Sequence, residues 1–173
     1  MTGCTTPPAG SAANSPKPPG EALAGSAAAR SRMPEKDVRA ILGYHNKVRS
    51  NVGVGPLKWS PSVAAYAQQW AEHLAGTTCG MMHRRDGKYG ENLYRGTAGF
   101  YTALDAAKAW ESEKRDYRGE PVTRSNSAKV GHYTQMVWRD TASLGCGQAV
   151  CGKMLIVVCN YDPPGNYVGR RPY

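Results

Sequence analysis

Four cysteines constrain this chain more than any other feature: Cys146, Cys151 and Cys159 crowd towards the C-terminus, and Cys79 lies well upstream. Between Cys151 and Met154 stands Gly152-Lys153, a dipeptide suited to the tight turn of a two-residue β-hairpin. If the turn forms there, Cys151 faces Met154, and the register carried back along both strands sets Cys146 opposite Cys159. A cross-strand Cys146–Cys159 bridge follows, which leaves Cys79 for Cys151 and closes a loop of roughly seventy residues. In the chain-entropy account the longer closure is worth about 4 kcal/mol and the shorter about 3. The four do not form CxxC pairs, and zinc held through Cys146 and Cys151 would want a closer partner, so the pattern reads as disulfides rather than structural zinc. Paired cysteines imply an oxidising, extracytoplasmic compartment.

A fifth cysteine, Cys4, is left over in a stretch of different composition. Residues 5–32 are almost wholly Thr, Pro, Ala, Gly, Ser, Asn and Lys, with one leucine, too little apolar surface to offset the entropy of ordering. Residues 1–34 therefore read as a disordered leader or tether, and 35–173 as one folded domain. No signal-peptide apolar core precedes the leader, so either the protein is cytosolic or the chain begins after processing; the disulfides favour the second. Thr2-Gly3-Cys4 resembles the end of a bacterial lipoprotein signal, whose cysteine becomes a lipidated N-terminus. The alternative is a chance cysteine in a low-complexity leader.

The leader carries almost none of the +9 net charge, so the basic surface belongs to the folded part. It favours anionic partners, but only through nonspecific attraction. No sequence-specific nucleic-acid module is readable, and the longest apolar run, Met154 to Cys159, is far too short to span a membrane.

Helical spacing is legible three times. Val38, Ile41, Leu42, His45 and Val48 mark a helix over 35–50. Ser60 can cap and Pro61 can open a second, whose stripe of Val63, Tyr66, Ala67, Trp70, Ala71 and Leu74 ends at Gly76. A third runs from Thr102 to Tyr117 with Ala103, Ala106, Trp110, Glu113 and Tyr117 on its inner face. A carboxylate on an apolar stripe is costly to bury alone, so Glu113 should meet a cation, a metal or a donor, whereas Glu111 should be solvated. The rest reads as strands, at Tyr133–Arg139, Leu144–Val150 and Leu155–Asn160. Helices first and strands later argue an α+β fold.

Five blocks then stand in order: His45-Asn46-Lys47-Val48-Arg49; Gly90-Glu91-Asn92-Leu93; Trp110-Glu111-Ser112-Glu113-Lys114; Gly131-His132-Tyr133-Thr134-Gln135-Met136-Val137-Trp138; and Cys159-Asn160-Tyr161-Asp162-Pro163-Pro164-Gly165-Asn166-Tyr167. From about Val38 to Tyr173 the chain resembles the CAP superfamily (cysteine-rich secretory, antigen 5 and pathogenesis-related 1 proteins), and within it the plant pathogenesis-related 1 type. The resemblance implies a three-layer α-β-α sandwich. It departs from the plant type at Ser125–Val130, which lacks the two cysteines of a third bridge, a difference that bears on the rigidity of that loop and not on the fold.

The resemblance also maps a cavity tetrad onto His83, Glu91, Glu113 and His132. It would hold a divalent ion, Zn²⁺ first, with the carboxylates ligating or orienting the rings. The alternative is two His–Glu pairs that merely tie helix to sheet. His45, on an amphipathic stripe, reads as a packed structural histidine. The functional expectation is a monomeric, noncatalytic binding or defence scaffold, with sterol, lipid or an anionic surface as partner. Against it stands a metal-dependent hydrolase on the same cleft, with Glu91 or Glu113 as general base, or a glycosidase-like use of those two carboxylates. No Ser-His-Asp or Cys-His arrangement is readable. The tail from Pro163 to Tyr173 should be irregular and docked, although in plant relatives a similar tail can be released as a signalling peptide.

Overall fold

A computed structural model describes residues 33–173; the leader, Cys4 and the tether reading lie outside them. Strand β4 (Met154–Asp162) forms the middle of the molecule, and its side chains are buried from Leu155 to Tyr161. It pairs antiparallel with β3 (Ser143–Cys151) on one side and with β2 (Gly90–Thr97) on the other, and the short β1 (Lys58–Trp59) runs parallel to the start of β3, giving the order β1-β3-β4-β2. The hairpin turn falls at Gly152, with φ +57°, a backbone region that glycine enters at little cost. Cys151 lies opposite Met154 and Cys146 opposite Cys159. Disulfides join Cys146 to Cys159 and Cys79 to Cys151.

One face of the sheet carries α2 (Pro61–Gly76) alone. Ser60 accepts a hydrogen bond from Val63 N at its start, and Ala67, Ala71 and Leu74 pack on Leu93, Ile156 and Val158. The helix backbone lies directly on β3. A Cβ at Gly145 would fall 2.1 Å from Ala64 N, and one at Gly147 2.3 Å from Gln68 Cα, so both positions admit only glycine. At the far end of α2, Cys79 adopts φ +54° and donates its N–H to Leu74 O, which turns the chain towards its bridge with Cys151.

The opposite face carries α1 (Glu35–Ser50), α3 (Ala103–Ser112) and α4 (Ser127–Met136) over Leu144, Leu155, Val157 and Tyr161. Thr102 and Asp105 close a capping box at the start of α3. The result is an α+β three-layer α-β-α sandwich.

Three expectations from sequence need correction, and one strand was not anticipated. Tyr133–Arg139 is not a strand: α4 begins at Ser127 and continues to Met136. Its aromatic and β-branched residues favour a strand locally, but Val130, Tyr133 and Met136 are buried at helical spacing, and that packing overrides propensity. The third helix stops at Ser112 and yields to a 3₁₀ turn over Glu113–Asp116. Glu111 is not merely solvated, since it accepts a hydrogen bond from Tyr44 Oη. Strand β2, rich in glycine and polar residues, was not read as a strand, and its ladder with β4 creates it.

The tail is irregular and docked. Val122 exchanges backbone bonds with Gly169 and Arg170, Arg139 N donates to Pro172 O, and Tyr173 packs on Tyr117 and Tyr133.

His45 is fully buried between α1 and β4. Its Nδ1 lies 2.8 Å from Ile41 O; a carbonyl only accepts, so Nδ1 carries the hydrogen and Nε2 accepts from Tyr161 Oη at 2.9 Å. Burial lowers the His45 pKa to about 4. The unfolded chain, with an ordinary imidazole pKa near ~6.5, binds this proton first as pH falls. Stability tied to neutral His45 is thus complete above about pH 6.5 and is lost progressively towards pH 4, by roughly 3 kcal/mol in all. Urea unfolding across that window should show the loss in the wild type and a shallower pH slope in His45→Gln; equal slopes would remove His45 as the cause.

Candidate metal and ligand cleft

Edge strand β2 places Glu91 opposite Asn160, with its side chain only 7% exposed. Its Oε1 accepts from Arg84 N at 3.1 Å and from His83 Nδ1 at 2.8 Å. His83 rides on the segment between the Cys79 bridge and β2. That segment is pinned to α2, where the Arg84 guanidinium lies 3.8 Å from the centre of the Tyr66 ring and the Tyr66 hydroxyl donates to Asp86. Gly90, at the strand's start, leaves room for Gln135, whose Oε1 would lie 2.1 Å from a Cβ there.

The second half of the site joins the 3₁₀ turn to α4. Glu113 Oε1 accepts from His132 Nδ1 at 2.6 Å. Its Oε2 accepts from His132 N at 2.9 Å and Tyr133 N at 3.1 Å. The Trp110 ring stacks near-parallel to the His132 imidazole, 6.3 Å between centroids, and Trp110 Nε1 donates to Leu93 O. Asn92 Nδ2 donates to His132 O. His132 therefore sits inside a helix, not at the mouth of a strand.

The two halves have one design. In each, a glutamate at the back holds an imidazole by Nδ1, and the ring is the more exposed partner: 60% for His83 against 7% for Glu91, and 36% for His132 against 19% for Glu113. Nε2 is left as the nitrogen available to a ligand. His83, Glu91 and His132 line one cleft of about 480 Å³ with Arg84, Tyr89, Ser127 and Asn166. Glu113 lines an adjoining depression that shares His132 and includes Met81, Tyr94 and Trp110. Among the described residues no three His, Cys, Asp or Glu side chains are grouped to hold one ion in common.

Residues that the sequence alone did not mark complete the surroundings. Asn166 Nδ2 donates to Gly131 O and its Oδ1 accepts from the Thr134 hydroxyl; Asn92 and Arg84 act as described above. Asn92 and Asn166 lie inside the quoted sequence blocks, so a signal was present, but their roles depend on contacts between distant elements.

The sequence profile of the cysteine-rich secretory protein family, CAP, matches residues 42–161. The chain belongs to the CAP family. It is 46% identical to pathogenesis-related protein 1A of Nicotiana tabacum over 133 residues, covering 76% of this chain and 78% of that protein. A pathogenesis-related protein of the PR-1 type from Sambucus nigra is 44% identical over 130 residues, with 75% and 77% covered. Among solved structures, NaASP2 with Zn²⁺ superposes with a TM-score of 0.72 at 27% identity, covering 82% of this chain and 86% of that one. This is therefore a CAP protein of the pathogenesis-related 1 type.

In this CAP domain Glu113 serves three donors at once. Glu113→Ala should destabilise by about 2 kcal/mol, since bonds to an ionised acceptor are among the stronger ones, with Glu113→Gln closer to wild type. Thermal unfolding of the two variants checks this; no difference between Ala and wild type would mean solvent replaces the carboxylate.

Proposed function

We propose that this CAP domain is an extracytoplasmic, noncatalytic binding scaffold of the defence type whose cleft takes a divalent ion, Zn²⁺ first, on Nε2 of His83 and His132. The observation that carries the reading is the matched pair of glutamates behind the rings. A carboxylate on Nδ1 fixes the tautomer that leaves Nε2 free to ligate and raises its basicity. Two imidazoles suit zinc and its neighbours, while Glu91 and Glu113 orient them without ligating. The presence of Zn²⁺ in the NaASP2 structure supports zinc as the ion to try first. A bound ion would supply Lewis acidity, but both glutamates are committed as acceptors, so neither stands ready as a general acid or base. That favours binding over hydrolysis.

Two disulfides among the described residues suit secretion or display in the cell envelope. Cys4 is proposed as a lipid anchor there, and an unmodified Cys4 in native protein would remove it. Sterol or lipid enters as a ligand class by family resemblance.

Zinc titration by calorimetry tests the cleft. Wild type should bind near neutral pH and lose affinity on acidification, because protons compete with the ion for the ring nitrogens. His83→Ala and His132→Ala should each abolish tight binding, and Glu91→Gln should weaken it about tenfold or more. If wild type and both histidine variants bind alike, or none binds, the pairs only tie the fold together.

A further inference from the structure

The chain contains a single phenylalanine, and it is the most exposed large apolar side chain among the described residues. Phe100 is 84% exposed, at the apex of the turn from Thr97 to Tyr101 between β2 and α3. Nothing about the turn is loose. Gly99 takes φ +84°, Phe100 N and Tyr101 N both donate to Thr97 O, and Ala98 N donates to Lys153 O in the neighbouring hairpin turn. Tyr101 lies over Gly96, where a Cβ would meet its ring at 2.9 Å, and packs edge-on against Tyr94. A rigid turn thus holds one ring out into solvent. Val150, 59% exposed, and Tyr101, 48% exposed, extend the apolar surface at the same end of the sheet.

We infer that this turn is a membrane-docking wedge, with Phe100 entering the interfacial zone of an anionic bilayer. Two observations choose that partner. Phe100, Tyr101 and Val150 together expose roughly 400 Å² on the usual side-chain areas, about half of what each partner of a stable protein dimer buries; a bilayer needs only an aromatic to insert. The charge beside the turn is cationic: Lys153, whose carbonyl holds Ala98 N, is exposed and has no ion pair among the described residues, while Lys108 pairs with Asp105, itself engaged in capping Thr102. An aromatic beside an exposed lysine on a protein of net charge +9 fits acidic headgroups. The wedge lies at the opposite end of β2 from Glu91, about 20 Å along the strand, so it works apart from the metal cleft.

Sedimentation with sterol-free phosphatidylcholine vesicles, with and without phosphatidylglycerol, tests the inference on the described domain and on the full chain. Wild type should partition to the anionic vesicles, more weakly as salt rises. Phe100→Ala should lower partitioning about tenfold or more, Phe100→Trp should retain it, and Lys153→Gln should lower it about fivefold on anionic vesicles only. His83→Ala and His132→Ala should partition as wild type, which separates this surface from the cleft. No binding to anionic vesicles, or equal partitioning of wild type and Phe100→Ala, would overturn the wedge. So would a concentration-dependent dimer, seen by analytical ultracentrifugation and abolished by Phe100→Ala, which would give the surface to a second copy.

Discussion

A single buried chain of hydrogen bonds connects the fold to the cleft. It starts at Ile41 O in α1, passes through both nitrogens of His45 to Tyr161 Oη on β4, and continues to Asn92 Nδ2 on β2 and His132 O in α4. Every group in it has a fixed direction: the carbonyl accepts, His45 donates at Nδ1 and accepts at Nε2, and the tyrosine donates back to His45 while accepting from the Asn92 amide. Reversing one member would leave a buried donor facing a donor, which costs far more than the chain gains from any one bond. The elements that carry the cleft are therefore locked in mutual register by a network whose His45, Tyr161 and Asn92 members are buried. Burial of both its titratable members, which raises the Tyr161 pKa and lowers that of His45, keeps the network neutral.

Arg49 does for the other end of α1 what His45 does for its middle, by opposite means. It is 1% exposed yet has no carboxylate partner among the described residues; its guanidinium donates to Gly55 O, Met136 O, Trp138 O and Thr141 O. Burial lowers its pKa to about 10, still well above neutrality, so the cation persists and four carbonyl dipoles stabilise it. Those carbonyls belong to the turn after α1, the end of α4 and the approach to β3. A lysine could not reach all four, because only the planar fork presents five donors in fixed directions. One residue thus terminates α4 and aims the chain into the sheet.

What could be read from the sequence follows from the range of the forces involved. The hairpin and both bridges were legible because a two-residue turn fixes strand parity, and parity fixes which cysteines face each other. Helix α2 was legible because cap, proline and stripe agree. Helix α4 was not, since Tyr133, Thr134 and Val137 favour a strand until the core and the Glu113 carboxylate are in place. Strand β2 was not, because Gly90, Glu91, Asn92 and Arg95 have no strand preference and gain one only by pairing with β4. Glu113, on the inner stripe of the helix expected over 102–117, was flagged by its cost of burial, but which histidine it would meet depends on α4. The pairing of His83 with Glu91 likewise depends on a strand that local preference does not announce.

The two imidazoles are held by different kinds of support, and that difference bears on how the proposed site would take a ligand. His132 is part of a helix, with its backbone N–H, its carbonyl and its ring all engaged by Glu113, Asn92 and Trp110. His83 sits on an irregular segment, and besides the Glu91 contact its position rests on the Cys79–Cys151 bridge behind it, the bond from Trp70 Nε1 to Met82 O, and Arg84 stacked on Tyr66 beside it. Without the bridge, the segment would be joined to the sheet only through β2 and a few side-chain bonds. The long-loop disulfide therefore does more than narrow the unfolded ensemble. It ties α2's exit to the β3–β4 hairpin and so constrains where His83 lies relative to His132; in the proposed zinc site the helical ring would be the fixed ligand and the other would be placed by these supports.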